Sequence, residues 1–172
     1  PDKFSVVAAI APAIEPTFRF EEIAPRDRSY RSDAFYERFF GQPVNTRYWE
    51  QNHPPTLARD RASQLSEAKL NIYFEAGDED ELGLFRGAEF LHRALLEKNA
   101  PHESRLIRGA RHGGESMPGR LSDALRYVGR VSEMLKPTYD PRLDQIIRKY
   151  TELFNAGDPS MWSSKLHPKS IS

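Results

Sequence analysis

Two short segments hold the residues best suited to proton-transfer chemistry. One is Gly77-Asp78-Glu79-Asp80-Glu81, and the other is Arg108-Gly109-Ala110-Arg111-His112-Gly113-Gly114. An imidazole titrates near neutrality and suits acid–base work, and a glycine-lined loop leaves its ring room to move. A carboxylate can fix the tautomer of such a ring and stabilise the imidazolium that forms. The spacing Gly-x-x-Asp, Gly77 to Asp80, favours Asp80 over Asp78 for that task. Each segment also has a plainer reading. Four acids at the start of a helix complement its positive end, and a histidine in a turn can simply sit at the surface. The remaining histidines, His53, His92, His102 and His167, are expected on helix surfaces or loops in structural roles.

The elements that must position these groups follow from periodicity. Ser5–Ala11 is small and apolar throughout, as a strand buried between helices would be. Residues 70–76 are β-rich and stop at Gly77, and residues 103–107 form a shorter run that reaches Gly109. Leu84, Ala88, Leu91 and Leu95 mark one face of a helix over 82–98. A second apolar stripe, Leu121, Ala124, Leu125, Val128, Val131 and Leu135, predicts a helix over 119–135 with Pro118 near its start. A third helix is predicted from about 141 to 154, with Asp140-Pro141 as its N-cap and first residue, and a loose tail from Asp158.

Strand, long insertion, strand, helix, strand, helix is the order of an α/β sheet with right-handed crossovers. In such sheets reactive groups gather beyond the carboxyl ends of the strands. Asp80 and His112 then fall in adjacent loops. Their order is that of the second half of a Ser…Asp/Glu…His triad. The nucleophile elbow Gly-x-Ser-x-Gly is absent. Gly114-Glu115-Ser116-Met117-Pro118 lacks the last glycine and follows the histidine, so Ser116 reads as a helix-start residue.

Composition narrows the alternatives. The 172 residues contain no cysteine, which excludes a disulfide scaffold, thiolate zinc, iron–sulfur ligation and a cysteine nucleophile. Lysine plus arginine equal aspartate plus glutamate at 25 each, arguing against a general nucleic-acid or acidic-membrane binder. No apolar run approaches the ~20 residues of a membrane span. A metal-dependent hydrolase using Asp78, Asp80 and His112 lacks any fixed ligand spacing, and neither GxGxxG nor a P-loop occurs. No cofactor is expected.

Four segments resemble the esterase family of α/β-hydrolases that includes enterochelin-esterase-like and S-formylglutathione-hydrolase-like enzymes. Residues 2–14, DKFSVVAAIAPAI, are similar to the strand after the family's elbow helix. Residues 48–55, YWEQNHPP, resemble its return from the cap. Residues 72–81, IYFEAGDEDE, resemble its acid-bearing strand, and residues 102–114, HESRLIRGARHGG, its histidine segment. The resemblance covers residues 1 to about 136 and implies the last three strands of the fold, with residues 15–69 as a cap-like insertion; residues 137–172, a C-terminal helix and loose tail, depart from the family pattern.

It further implies a carboxylic-ester hydrolase with Asp80 as the triad acid and His112 as the general base. The serine and oxyanion hole are expected upstream of Pro1. The apolar run Val6–Ala11 so close to the first residue suggests a chain cut from something longer. The expected partner is a small-molecule ester, bound in the intact enzyme. The alternative is an inactive half-domain that pairs with an N-terminal half or with itself, because an open edge of the first strand invites pairing. Nine of the 19 aromatics fall between Phe18 and Trp49. They predict a satellite core within the insertion, which can also wall a substrate pocket.

Overall fold

The computed structural model describes residues 5–28 and 31–135, with the single positions 145, 149 and 152. The chain divides into two compact units, Pro1–Ser132 and Glu133–Ser172. In the second, Gln145, Lys149 and Glu152 are helical and exposed. The rest of the predicted helix over 141–154, the tail from Asp158, and His167 lie outside the described residues.

The first unit is mixed α/β. Strands β1 (Val6–Ile10), β2 (Asn71–Gly77) and β3 (His102–Ile107) form a parallel sheet in the order β1-β2-β3. Val6 pairs with Asn71 and Ile72 with His102, so β2 is central. Its side chains alternate between two faces, as a strand's period of two requires. Phe74 and Ala76 turn to one side and meet Ala88, Leu91 and Leu95 of α6 (Phe85–Glu97), beside Ala58. Tyr73 turns to the other, where Ala124, Tyr127 and Val131 of α7 (Met117–Leu135) cover it. The predicted stripe of α6 is buried at every named position, counting Leu84 just before the helix. That of α7 is rotated. Ala124 and Val131 are buried, but Tyr127 replaces Leu121, Leu125 and Val128 at the centre, and these three are only half-buried.

Prediction and structure differ at β1. A strand enclosed on both faces is expected there, yet Val7 is 44% exposed and Ala8 is exposed too. Among the described residues β1 pairs only with β2, so one edge is open. Backbone strain marks its exit. Ala11, buried, has φ of 47°, a left-handed conformation unfavourable for a residue with a Cβ. Its N–H donates to the Glu75 carbonyl at 2.7 Å, extending the β1–β2 pairing by one residue.

Between β1 and β2 the insertion folds as a 3-10 turn (Phe20–Glu22) and five short helices: α1 (Pro25–Arg28), α2 (Asp33–Phe40), α3 (Thr46–Asn52), α4 (Pro54–Asp60) and α5 (Ala62–Glu67). Ser32 caps α2 through the Phe35 amide, and Asn45 caps α3 through that of Tyr48. The predicted satellite core is present. Phe20, Ile23, Tyr36 and Trp49 are buried together, with edge-on rings at Phe20–Tyr36 and Phe20–Trp49. The insertion is tied to the sheet layer through α4, which packs on α6. The chain entering it passes close to α6 as well. A Cβ on Gly87 would lie 1.9 Å from the Ile14 carbonyl oxygen, so only glycine permits that approach.

Candidate active site

The sheet is parallel, so the chain leaving β2 and the chain leaving β3 emerge side by side. Backbone hydrogen bonds then join the two loops. The Asp78 amide donates to Ile107 O and the Glu79 amide to Ala110 O, each at 3.1 Å. Gly77 makes the contact possible, because a Cβ there would sit 2.0 Å from the Ala110 carbonyl oxygen. One turn later the Asp80 amide reaches back to Gly77 O at 3.3 Å, which aims the Asp80 side chain inward.

Asp80 and His112 meet across these loops. Asp80 Oδ2 lies 3.1 Å from His112 Nδ1, and the Asp80 side chain is wholly buried. Its Oδ1 accepts the Leu82 amide at 2.8 Å. The carboxylate is thus held by both oxygens. A carboxylate can only accept, so Nδ1 carries the proton and donates it. The Nε2 lone pair is left facing outward. The imidazole is 38% exposed, and among the described residues Nε2 makes no hydrogen bond.

The remaining acids of this run serve the loops. The acidic run was expected to open a helix, but α6 begins only at Phe85 and has no acid in its first turn. Asp78 instead accepts the Gly109 amide at 2.6 Å and pairs with Arg108 at 3.3 Å. Both of its oxygens are therefore engaged by the histidine loop rather than by the acid–imidazole pair. No cluster of three potential metal-binding side chains occurs among the described residues. Glu81 accepts the His112 amide at 3.2 Å, and Arg111 lies 3.6 Å away. The backbone N–H groups of Glu81 itself and of His112 hold its carboxyl below the ordinary range.

Comparison with protein-family models, curated proteins and solved structures returns no match.

A deeper layer supports the histidine loop. Glu75, on the α7 side of β2, is fully buried, and Arg120 of α7 places Nε 3.0 Å from each of its oxygens. Arg120 Nη1 also donates to the carbonyl of Arg111 at 2.7 Å. Burial pushes the Glu75 carboxyl up, outweighing the pull of Arg120. Sequence reading passed over this pair, which has no local motif. A charged residue inside an apolar strand run is the one sign it leaves. Ser116 stands directly before α7, and its Oγ is buried without a hydrogen bond among the described residues.

His53 keeps the loop position expected of it, between α3 and α4, but is buried rather than at the surface. It is 4% exposed, with Trp49 stacked on it at 4.2 Å. Glu15, also buried, lies 3.5 Å from its Nε2. Tyr36 Oη donates to Glu15 Oε1 at 2.7 Å, and Arg31 Nε is 3.2 Å from the same oxygen. Burial alone would raise the Glu15 carboxyl, but His53, Tyr36 and Arg31 together bring it below its ordinary value. Burial and the bond to Glu15 push the Tyr36 hydroxyl up. His92 and His102 fit structural roles: Nδ1 of the first is 2.8 Å from Nε2 of the second.

Proposed function

We propose that this chain carries the acid and base of a serine-type carboxylic-ester hydrolase with the α/β-hydrolase arrangement, the nucleophile and oxyanion hole being supplied by chain preceding it. The observation that carries this reading is the 3.1 Å contact from a fully buried Asp80 to a His112 whose far nitrogen is open. In the proposed reaction His112 Nε2 takes the serine proton as Oγ bonds to the ester carbon. The tetrahedral intermediate collapses, the carbon–oxygen bond breaks, and Nε2 returns the proton to the leaving alcohol. Water then repeats the cycle on the acyl-enzyme and frees the acid. Asp80 keeps the proton on Nδ1 throughout and stabilises the imidazolium. No cofactor enters the scheme.

In the intact parent enzyme, His112→Ala is expected to lower ester turnover by orders of magnitude without unfolding it. Near-normal turnover removes the assignment. The chain by itself is expected neither to hydrolyse esters above background nor to react with a fluorophosphonate probe. Stoichiometric labelling of one of its serines overturns that part.

A second reading, a half-domain that pairs with an N-terminal half or a second copy, draws on the open edge of β1. Val7 and Ala9 of the same strand, with Phe74, Leu57 and Leu91, also line an apolar groove of about 430 Å³ on the face of the sheet. Exposed strand edges recruit further strands. Sedimentation as a monomer across the soluble concentration range counts against it.

A further inference from the structure

The cluster around His53 lines a cavity of about 180 Å³, which Glu15, Tyr36, Phe40 and Trp49 also border. Two features separate it from an ordinary gap in a satellite core. Phe35, Tyr36, Phe40 and Trp49 give it aromatic walls beside the charged pair Glu15 and Arg31, and it contains a buried imidazole with only Glu15 near its Nε2 and nothing paired with its Nδ1 among the described residues. Neither ring nitrogen of His53 makes a hydrogen bond among the described residues. Buried polar atoms are nearly always hydrogen-bonded, and exceptions often mark a place that something else fills.

The chemistry of an occupant follows from what surrounds the ring. Glu15 already has a cation beside it in Arg31, and Arg31 also donates to the Asp27 carbonyl at 2.7 Å. An ionic ligand would therefore bring a charge that the cavity does not balance, and burying such a charge is costly. Nε2 is the His53 nitrogen nearest the carboxylate, 3.5 Å from Oε2, so the ring proton belongs there. Nδ1 is then an acceptor in need of a donor. Size sets the rest, because about 150 Å³ is enough room for one benzene ring. The flat rings of Phe40 and Trp49 favour a planar guest over a branched one.

We propose that this cavity is a binding site for a small, neutral, planar molecule carrying one hydrogen-bond donor, of the size and type of phenol, which donates to His53 Nδ1. The inference is independent of the ester-hydrolase reading. It requires no activity and no residue of the Asp80–His112 pair.

The test is an NMR titration of the chain with phenol, toluene and benzoate, read at the Trp49 indole N–H. Trp162→Phe leaves that as the only indole signal. Phenol is expected to shift it with a Kd in the millimolar range or tighter, and toluene to bind at least about tenfold more weakly. His53→Phe keeps the stacked ring and should abolish the preference for phenol over toluene. Ala13→Leu places bulk at an exposed rim position of the cavity and should weaken both ligands. Amide spectra identify folded variants, so a misfolded His53→Phe leaves Ala13→Leu to decide. The site is overturned if phenol fails to move the Trp49 signal in the folded chain, or if Ala13→Leu leaves phenol binding unchanged. Equal binding of phenol and toluene to the unaltered pocket, or a phenol preference that survives folded His53→Phe, overturns the role of Nδ1. Tighter binding of benzoate overturns the neutral-ligand assignment.

Discussion

Arg120 places its Nε 3.0 Å from both carboxylate oxygens of Glu75, and both side chains are almost fully buried. The pair fastens α7 to the central strand, and the second arm of the guanidinium holds the carbonyl of Arg111, next to His112. Removing one partner of a buried pair leaves a bare charge and costs about 3–5 kcal/mol, whereas replacing both with apolar side chains is often neutral. Arg120→Met is therefore expected to lower unfolding stability by roughly that range. Adding Glu75→Leu should recover most of the loss. Urea denaturation of the three proteins measures this. Equal stability of Arg120→Met and the unaltered chain would show that the pair contributes nothing.

Glu75 and Glu15 should give the protein opposite pH responses. Glu15 titrates below the ordinary glutamate value of 4.5 in the folded state. Its contribution is present above that value and lost as pH falls through the lowered one. Glu75 titrates above 4.5 when folded. Its contribution is greatest below 4.5 and declines as pH rises through the raised value. Glu15→Gln should thus flatten the acid limb of the stability profile. Glu75→Gln should remove a decline on the other side. Stability profiles from denaturant melts at a series of pH values decide the matter, and two variants with the same change of slope refute it.

The loop junction offers a sharper probe. Gly77→Ala forces a methyl group against the Ala110 carbonyl, and backbone cannot yield as a flexible side chain would. Overpacking of this kind costs about 1–3 kcal/mol. The 108–112 loop must shift, so the His112 imidazole signals should move in an NMR spectrum while those of His92 and His102 stay. An unaltered His112 spectrum with unaltered stability contradicts the tight junction.

Much of the frame was legible because it rests on local periodicity. The three strands show as apolar or β-rich runs and α6 as an apolar stripe, and the structure puts Asp80, the residue that the Gly-x-x-Asp spacing favours, against His112 Nδ1. The exposure of Val7 was not legible, since burial of a strand depends on which neighbours lie beside it. The helix-start reading of the acids at 78–81 fails for a related reason. Their partners, Gly109 and His112, are close in space but remote in sequence, and the nearby helix starts later than its apolar pattern implies. The Glu15–His53 contact was hidden most deeply. It joins the exit of β1 to the junction of α3 and α4, and clustered aromatics predict a core without specifying its polar content.

The register of the sheet also bears on the order of assembly. Val6 and Asn71 are paired across 65 residues, whereas Ile72 and His102 are paired across only 30. Closing the longer loop costs about 0.6 kcal/mol more for each doubling, and non-local pairings form slowly. The expected course is early formation of β2–α6–β3, with β1 joining last. Pulsed hydrogen exchange would then show protection in β2 and β3 before β1. On that course Asp80 and His112 are brought together by the most local part of the sheet, before β1 is in place.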